Sequence, residues 1–488
     1  MRTILVSHKQ ADLPLQIPGI DVVPARVYLT DPAWTKERAL RVINLCRSYR
    51  YQSEGYYVSL LAAARRHRPF PDLRTVLDMK SRHFVRTVDE ELDAVIQKSL
   101  HDIEAAEFEL SVYFGKNLAQ RHTRLAHRLF SQFPTPLQRA HFRRDKKRWR
   151  MTSVSPIAFR DVPEAHREFV ATAARDYLGR ASAPVRARRT AFYDLAILCD
   201  PNEDPAPSDP VALGRFERAA RAAGFDVERI QRDDFARLPE FDALLIRETT
   251  SVDHHTFRFA QRAEAEGMVV IDDPTSILRC TNKVFQTEAL TQRGVPIPKT
   301  WISDRIDIDH VEQSLGFPCV LKFPDSSFSQ GVVKCKDRAE LETQAARILA
   351  ESDLLVVQEY MPTDFDWRIG LFDGEPLYAC RYLMANGHWQ VIQRTNAGSF
   401  RYGRVEPVPL SEAPANVVKI ATRAAAAIGE GLYGVDVKVA GKRVVVTEVN
   451  DNPNIDAGCE DAILKGELYD KIIRGFVRRL EALRGDSR

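Results

Sequence analysis

The chain has no pair of cysteines at metal or redox spacing, no long apolar run and no excess of charge of either sign. Its seven cysteines, at 46, 199, 280, 319, 335, 380 and 459, lie far apart, so neither a CxxC redox motif nor a zinc ribbon is readable. Several sit in apolar strand-like runs, Cys199 in DLAILC and Cys319 in FPCVLK, where a buried and unreactive thiol is the usual meaning. No apolar stretch approaches membrane-spanning length, and the opening MRTILVSHKQ is too short in apolar residues for a signal peptide. The 70 basic and 67 acidic side chains nearly cancel, so nothing global points to nucleic acid or to a membrane surface. There is no internal repeat and no low-complexity tract. A reduced, cytoplasmic, globular protein is what these absences leave. Its 488 residues exceed what one core can use, and two to four domains are expected.

One local charge excess stands out: Arg143, Arg144, Lys146, Lys147, Arg148 and Arg150 surround Trp149. It reads either as a site for an acidic partner or as a solvated strand or loop, and the second is the commoner meaning of such runs. Residues 1 to 185 read as an α/β domain of their own. Apolar runs at 3–6, 22–29 and 41–46 predict strands. Helical spacing over 54–66 puts Tyr57, Leu60, Leu61 and Ala64 on one face, with Gly55 at a tight strand-to-helix turn. Basic helix-like segments come next at 119–130 and 162–178. The stretch 181–190, ASAPVRARRT, reads as a linker.

Beyond it the pattern becomes regular. Strands at 194–199, DVERI, 241–248 and 268–273 alternate with helices at about 211–223 and 255–266, which argues for a parallel sheet with right-handed crossovers. This block, 190–279, is small for a domain and is expected to pack on the C-terminal part of the chain. From 280 a helix at 282–293 closes at Gly294. Strands then succeed one another at 317–323, 330–336, 354–360, 367–373 and 376–384, with a hairpin at 434–439 and 443–449. Helices at 338–350, 412–429 and 460–483 intervene. The fold class is α/β, turning α+β in the C-terminal part.

Three stretches carry chemistry. In VLKFPDSSFSQGV a strand delivers Lys322, and a loop with Ser326, Ser327, Ser329 and Gly331 returns. Backbone N–H groups and hydroxyls of such a loop can cradle phosphate beside a lysine charge. It is no Walker loop, since GK[ST] is missing, and alone it also reads as a plain hairpin. In LLVVQEYMPTDFDWRIGLF, one strand ends in Gln358-Glu359-Tyr360 and the next opens with Asp366-Trp367-Arg368. A strand end of this kind can wall an adenine, with Asp366 for ribose hydroxyls and Arg368 for phosphate, or it is a solvated turn with an ion pair. The third stretch, GVDVKVAGKRVVVTEVNDNPN, is the most telling. Alternation places Glu448 and Asn450 on one side of their strand, and a hairpin turning at AGKR brings Asp436 beside them. Acidic residues facing one another across strands are unfavourable without a cation, so the cluster reads as hard oxygen ligands for Mg²⁺ shared with phosphates.

Taken in order, Asn282-Lys283, Lys322 with its loop, Gln358-Glu359-Tyr360, Asp366-x-Arg368, Arg394-Thr395-Asn396, Gly434-Val435-Asp436 and Glu448-Val449-Asn450 resemble the ATP-grasp fold, and within it the RimK-type ligases. The resemblance covers about 190–480, and residues 1–185 look like the extra domain that accompanies a branch of RimK-like proteins. It implies a Rossmann-like pre-ATP-grasp domain at 190–279 and a two-lobed ATP-grasp domain at 280–488. It also implies an ATP-dependent ligase that activates a carboxylate as an acyl phosphate and joins it to an amine. By this resemblance Lys283 and Lys322 contact nucleotide phosphates. Glu359, Tyr360 and Asp366 hold adenine and ribose. Arg394, Thr395 and Asn396 lie beside the triphosphate, and Asp436, Glu448 and Asn450 bind Mg²⁺, with Mn²⁺ as a substitute. Lys322, Arg368 and Arg381 stabilise the transferring phosphoryl group and the acyl phosphate.

Arg247 closes the strand FDALLIRE at the edge where open α/β sheets place ligands, so it is the candidate for a substrate carboxylate. The expected partners are amino-acid-like carboxylate and amine substrates, with no membrane and no nucleic acid, and a homo-oligomer stays open. Two departures from the RimK-like pattern, AGSFRYG after Asn396 and DNPNIDAGCED after Asn450, border the acceptor side and leave the substrates unnamed. The rival readings are a non-catalytic nucleotide-binding regulator and a ribosome- or RNA-associated modifier. A linker at 181–190 is expected to be the first place cut in limited proteolysis, since few contacts protect such segments. Initial cleavage inside 200–480 contradicts this reading.

Overall fold

A computed structural model describes all residues except 1, 10–16, 18, 38–39, 66, 80–89, 147, 180–191, 326–330, 386–388, 395–399 and 486–488. The expected linker at 181–190 therefore lies outside the described residues. The chain forms two compact units. One comprises 1–188 with 233–240, and the other 189–232 with 241–488.

In the first unit, strands β1 (Arg2–Ser7), β2 (Asp21–Pro24), β3 (Leu40–Asn44) and β4 (Arg68–Phe70) form a parallel sheet in the order β2-β1-β3-β4. β3 is buried along its whole length, as a strand covered on both faces must be. The strand expected at 22–29 stops at Pro24. The chain then becomes the helix Ala25–Thr30, which turns Ala25 and Tyr28 inward, one helical turn apart. The helix Glu54–Ala64 forms where expected, with Ser53 as its N-cap. It buries the opposite face, however: Gly55, Val58, Ser59 and Ala62 point inward, while Tyr57 is exposed. Small residues win this contest because a Cβ on Gly55 would stand 2.4 Å from the Ser48 carbonyl oxygen. The helix lies too close to the preceding loop for bulk.

Strands β5 (Glu107–Tyr113), β6 (Leu137–Asp145) and β7 (Arg148–Pro156) form an antiparallel sheet. The basic run is the tip of the β6–β7 hairpin. Arg143, Arg144, Lys146, Arg148 and Arg150 are exposed, and Trp149 is buried. The Gln97 amide donates to the Trp149 carbonyl at 2.7 Å and accepts from its N–H at 2.9 Å, closing that point of the sheet edge.

In the second unit, β8 (Tyr193–Leu198), β9 (Phe225–Ile230), β10 (Ala243–Ile246) and β11 (Val269–Ile271) form the expected parallel sheet, in the order β11-β10-β8-β9. A small antiparallel sheet is built from β12 (Thr300–Ser303), β13 (Cys319–Lys322), β14 (Val332–Cys335) and β15 (Leu355–Glu359), ordered β12-β15-β13-β14. A larger one takes β16 (Phe365–Phe372), β17 (Glu375–Leu383), β20 (Val405–Val408), β21 (Leu432–Ala440) and β22 (Arg443–Asp451), ordered β20-β17-β16-β21-β22, while β18 (Ile392–Arg394) pairs only with β19 (Phe400–Tyr402). Six of the seven cysteines are buried and none is disulfide-bonded. Among the described residues no helix is long and apolar enough to cross a membrane.

One face of the strand–helix block 193–271 shares its core with later parts of the chain. Tyr193, Ile197, Phe216 and Leu245 share one apolar cluster with Phe372, Leu432, Ile472 and Phe476. Phe216 meets Tyr469 of the last helix (Gly466–Gly485) edge to face, 4.7 Å between centroids. The two parts are therefore expected to unfold together. Phe216→Ala and Phe476→Ala should each cost about 3–5 kcal/mol in urea denaturation and shift the same transition. Hydrogen exchange that opens β8 well before β16 speaks against a shared core.

Candidate active site

The larger sheet puts a polar constellation on one face because its strands alternate. Arg368 on β16 stands opposite Asp436 on β21, and Asp436 opposite Glu448 on β22; Gly434 stands opposite Asn450. The hairpin expected from the sequence thus forms in that register, with a bulge between Asp436 and Val437. Arg368 grips Asp436 with two parallel N–H bonds, Nη2 to Oδ2 at 2.9 Å and Nε to Oδ1. Asn450 donates to the same Oδ2 at 3.1 Å and to the Gly434 carbonyl at 3.2 Å. Gly434 is required there: a Cβ would come within 2.9 Å of Arg368 Cδ and 2.8 Å of Pro453. Burial pushes the Asp436 carboxyl above the usual carboxylate range even though Arg368 pulls it down.

Two lysines approach this face from the other wall. Asn282 caps the helix Lys283–Gln292, which places Lys283 in its first turn, with Nζ 3.3 Å from Glu448 Oε1. Lys322 ends β13. Burial drives the Glu448 carboxyl upward, but Lys283 and Lys322 outweigh it and hold the group below its ordinary value. For Lys322 burial wins, and its ammonium is pushed down to about 8 despite the attraction of Glu448. Lys283, Lys322, Gln358, Thr447 and Glu448 line a small cleft together with Leu290, Ile297 and Val356.

Gln286, which the motif pattern does not include, ties this cleft to β22. Its amide donates to the Val449 carbonyl at 2.9 Å and accepts from the Val449 N–H at 2.8 Å. Its position one helical turn after Lys283 was the available signal. Lys438, two residues after Asp436 on the same strand, partners Asp366 instead. It holds that carboxylate at 2.6 Å and Thr363 at 2.7 Å. Glu359 accepts from the Lys299 N–H at 2.6 Å and pairs with Arg443, which keeps its carboxyl low. Tyr360 packs against Trp389 with 5.8 Å between ring centroids, and Lys334 lies 4.9 Å over the Tyr360 ring.

Some expected residues fall elsewhere. Thr395, Asn396 and the serine loop 326–330 lie outside the described residues, as does the side chain of Arg394. Arg381 is a correction. It pairs in register with Trp367, so strand alternation turns it to the sheet face opposite Arg368, where its guanidinium lies 5.0 Å from the Trp367 ring and 5.1 Å from that of Phe365. Arg247 is another. It is 1% exposed, and its fork is spent on Ser208 at 3.1 Å, Asn452 Oδ1 at 2.7 Å and the carbonyls of Pro207 and Pro453. It holds the chain after β22 in place and offers no fork to a substrate.

Among the described residues no three His, Cys, Asp or Glu side chains group as a metal site. The hard donors present are two carboxylates and an amide, Asp436, Glu448 and Asn450, a set that fits a cation completing its shell with phosphate and water oxygens.

Residues 25–173 match the RimK-like ATPgrasp N-terminal domain, and residues 280–474 match the RimK-like ATP-grasp domain. The alpha-aminoadipate–LysW ligase LysX of Saccharolobus solfataricus is 26% identical over 250 residues, covering 47% of this chain and 84% of that protein. A probable alpha-L-glutamate ligase of Teredinibacter turnerae is 26% identical over 229 residues, covering 46% and 73%. The crystal structure of D-alanine–D-alanine ligase from Bacillus anthracis overlaps 60% of this chain and 99% of its own, at 16% identity and a TM-score of 0.47.

The depressed Lys322 has a measurable consequence. Its folded value of about 8 lies below that of an ordinary lysine, so the unfolded chain binds the proton more tightly. The charged lysine therefore weakens the fold below about pH 8, and this cost fades as pH rises through the normal lysine range. Lys322→Met should raise the melting temperature of the ligand-free protein at pH 7, by a margin that shrinks towards about pH 10. A lower melting temperature at neutral pH contradicts the assignment.

Proposed function

We infer that this chain, a member of the RimK-like ATP-grasp family, is an ATP-dependent ligase that forms amide bonds through an acyl phosphate. The observation that carries this reading is a cleft lined by Lys283, Lys322 and Glu448, with Asp436 in register opposite Glu448 and bonded to Arg368 and Asn450. Phosphoryl transfer asks little covalent chemistry of a protein and much positioning and charge stabilisation, which these groups can supply.

Lys283 and Lys322 are suited to the nucleotide phosphates, as compact charges at the base of the cleft. Glu359, Tyr360 and Asp366 stand at strand ends where an adenosine can lie, and the segment 394–396 is assigned to the triphosphate by resemblance. Asp436, Glu448 and Asn450 would hold Mg²⁺, or Mn²⁺ in its place, and such an ion would neutralise phosphate charge. A substrate carboxylate oxygen attacks the γ-phosphorus and ADP leaves. An amine nitrogen then attacks the acyl carbon, phosphate leaves, and the amine gives up a proton. Arg368, whose fork matches both phosphate and carboxylate, is suited to charge that grows in the first step. Closure of the cleft against water would spare the acyl phosphate from hydrolysis. The names of the two relatives include aminoadipate and glutamate, which supports an amino acid as one substrate here.

ADP release with ATP, Mg²⁺ and a panel of amino acids and short peptides tests the reading. Arg368→Ala and Glu448→Ala should each lower turnover by roughly 10²–10³-fold while circular dichroism stays unchanged. Near-normal ADP production by Glu448→Ala across a Mg²⁺ titration removes the metal assignment.

A further inference from the structure

Asp436 is not the only group that holds Arg368. Tyr382 on β17 pairs in register with Asp366, so strand alternation puts its side chain on the sheet face of Asp366 and Arg368, diagonal to the arginine. The Arg368 guanidinium carbon sits 4.7 Å from the centre of the Tyr382 ring. Nε and Nη2 of the guanidinium are bonded to Asp436, and Nη1 has no acceptor among the described residues. The arginine is thus held along one edge by a carboxylate and against its face by a ring, with one nitrogen to spare.

The ring is itself fixed. Tyr382 is buried, and its hydroxyl donates to Glu460 Oε1. Glu460 is buried too, and its other oxygen accepts the Asp456 N–H at 2.8 Å. Four residues earlier on β17, the Tyr378 hydroxyl donates to the Asn454 carbonyl at 3.2 Å. Both tyrosines are therefore tied to the segment DNPNIDAGCED, one of the two places where the chain departs from the RimK-like pattern. Burial raises the Tyr382 hydroxyl well above the ordinary phenol range, so the ring stays neutral and keeps its proton for Glu460.

The edge contact and the face contact differ in what can displace them. On the ligase reading, on which this inference rests, a divalent ion draws on the same Asp436 oxygens that the guanidinium holds. Neither a metal ion nor a phosphate competes for the face of a ring, which attracts a cation through its quadrupole. We propose that Tyr382, anchored by Glu460, is a positioning residue that keeps Arg368 aimed at the transferring phosphoryl group once Asp436 is engaged by a divalent ion. Nη1 is then the donor nearest to hand for charge that grows as the phosphoryl group moves. The role needs the ring, and it needs the hydroxyl only as the anchor, which sets the expected order of variants.

The test uses the full chain with Mg²⁺. ADP is titrated calorimetrically with and without aluminium fluoride, a mimic of the phosphoryl group in transfer, and ADP release from ATP is followed with the panel of amino acids and short peptides. Tyr382→Leu should bind ADP as wild type does and bind the aluminium fluoride complex about tenfold more weakly. Its kcat should fall by a similar factor while KM for ATP stays within about twofold. Tyr382→Phe, which keeps the ring, should recover most of both losses. Adding Tyr382→Phe to Glu460→Ala should cost nothing further, because the hydrogen bond between them is already gone. Should Tyr382→Leu not fold, Tyr382→Met carries the same comparison with a flexible side chain and no ring. Equal losses in the Leu and Phe variants, wild-type affinity of the Leu variant for the aluminium fluoride complex, a raised KM with kcat unmoved, or additive losses in the double variant each overturn the positioning role and leave the ligase reading intact. A wild-type chain that neither binds ADP with Mg²⁺ nor releases it removes the ligase reading, and the positioning role with it.

Discussion

Two carboxylates facing each other across neighbouring strands in a half-dry wall repel unless cations attend them. Asp436 and Glu448 are in that position, and much of the second unit serves the requirement. Arg368 comes from the adjacent strand to hold Asp436, Lys283 comes from a helix start to hold Glu448, and Lys322 stands close enough to lower the Glu448 carboxyl. The cations have different origins: a sheet, a helix N-terminus and a second, smaller sheet. Lys283 and Lys322 meet Glu448 in the lining of one cleft. On the proposed reading, one set of countercharges would be exchanged for another, with phosphates taking the lysines and the arginine and a divalent ion taking the carboxylates.

Such an exchange is useful only if the strand bearing the carboxylates does not drift, and β22 is held at several points. Gln286 clamps Val449 from the helix side. Asp272, at the end of the parallel sheet, accepts the N–H groups of Leu432 and Asn452, both at 2.7 Å, which ties the start of β21 to the end of β22. Burial lifts the Asp272 carboxyl to about 7. Arg247 holds the Asn452 side chain, and Asn452 itself adopts a left-handed backbone (φ 45°) that asparagine tolerates better than most residues. The parallel sheet thus acts as a bracket for the β21–β22 hairpin, a role compatible with the core they share.

How much of this was legible depends on range. Alternation is local, so the register that brings Asp436, Glu448 and Asn450 together could be read from the hairpin alone. The alternating strands and helices of 193–271 likewise announced a parallel sheet. What failed depended on distant packing. The helix Glu54–Ala64 carries two faces with equally good spacing, and only the nearness of Ser48 chooses the one with Gly55. Arg381 stands two residues from Ala379 and one from Tyr382, and its sheet face could have been derived once its pairing with Trp367 was known. Arg247 was placed correctly at a strand end, but nothing local revealed that Pro207, Ser208 and Asn452 would consume its hydrogen bonds.

The segment 233–240 belongs to the first unit although the chain on either side of it belongs to the second. Ala236 sits in the first unit's core, Arg68 donates to the Pro239 carbonyl at 3.0 Å, and Arg41 faces Glu240 at 3.4 Å. The polypeptide therefore crosses between the units three times. An expression clone that stops near residue 188 would lack a piece of its own interior, and one that starts there would carry that piece with nothing to cover it. Neither half is a portable module, and an exchange of N-terminal regions between related genes would have to carry these eight residues along with the region they complete.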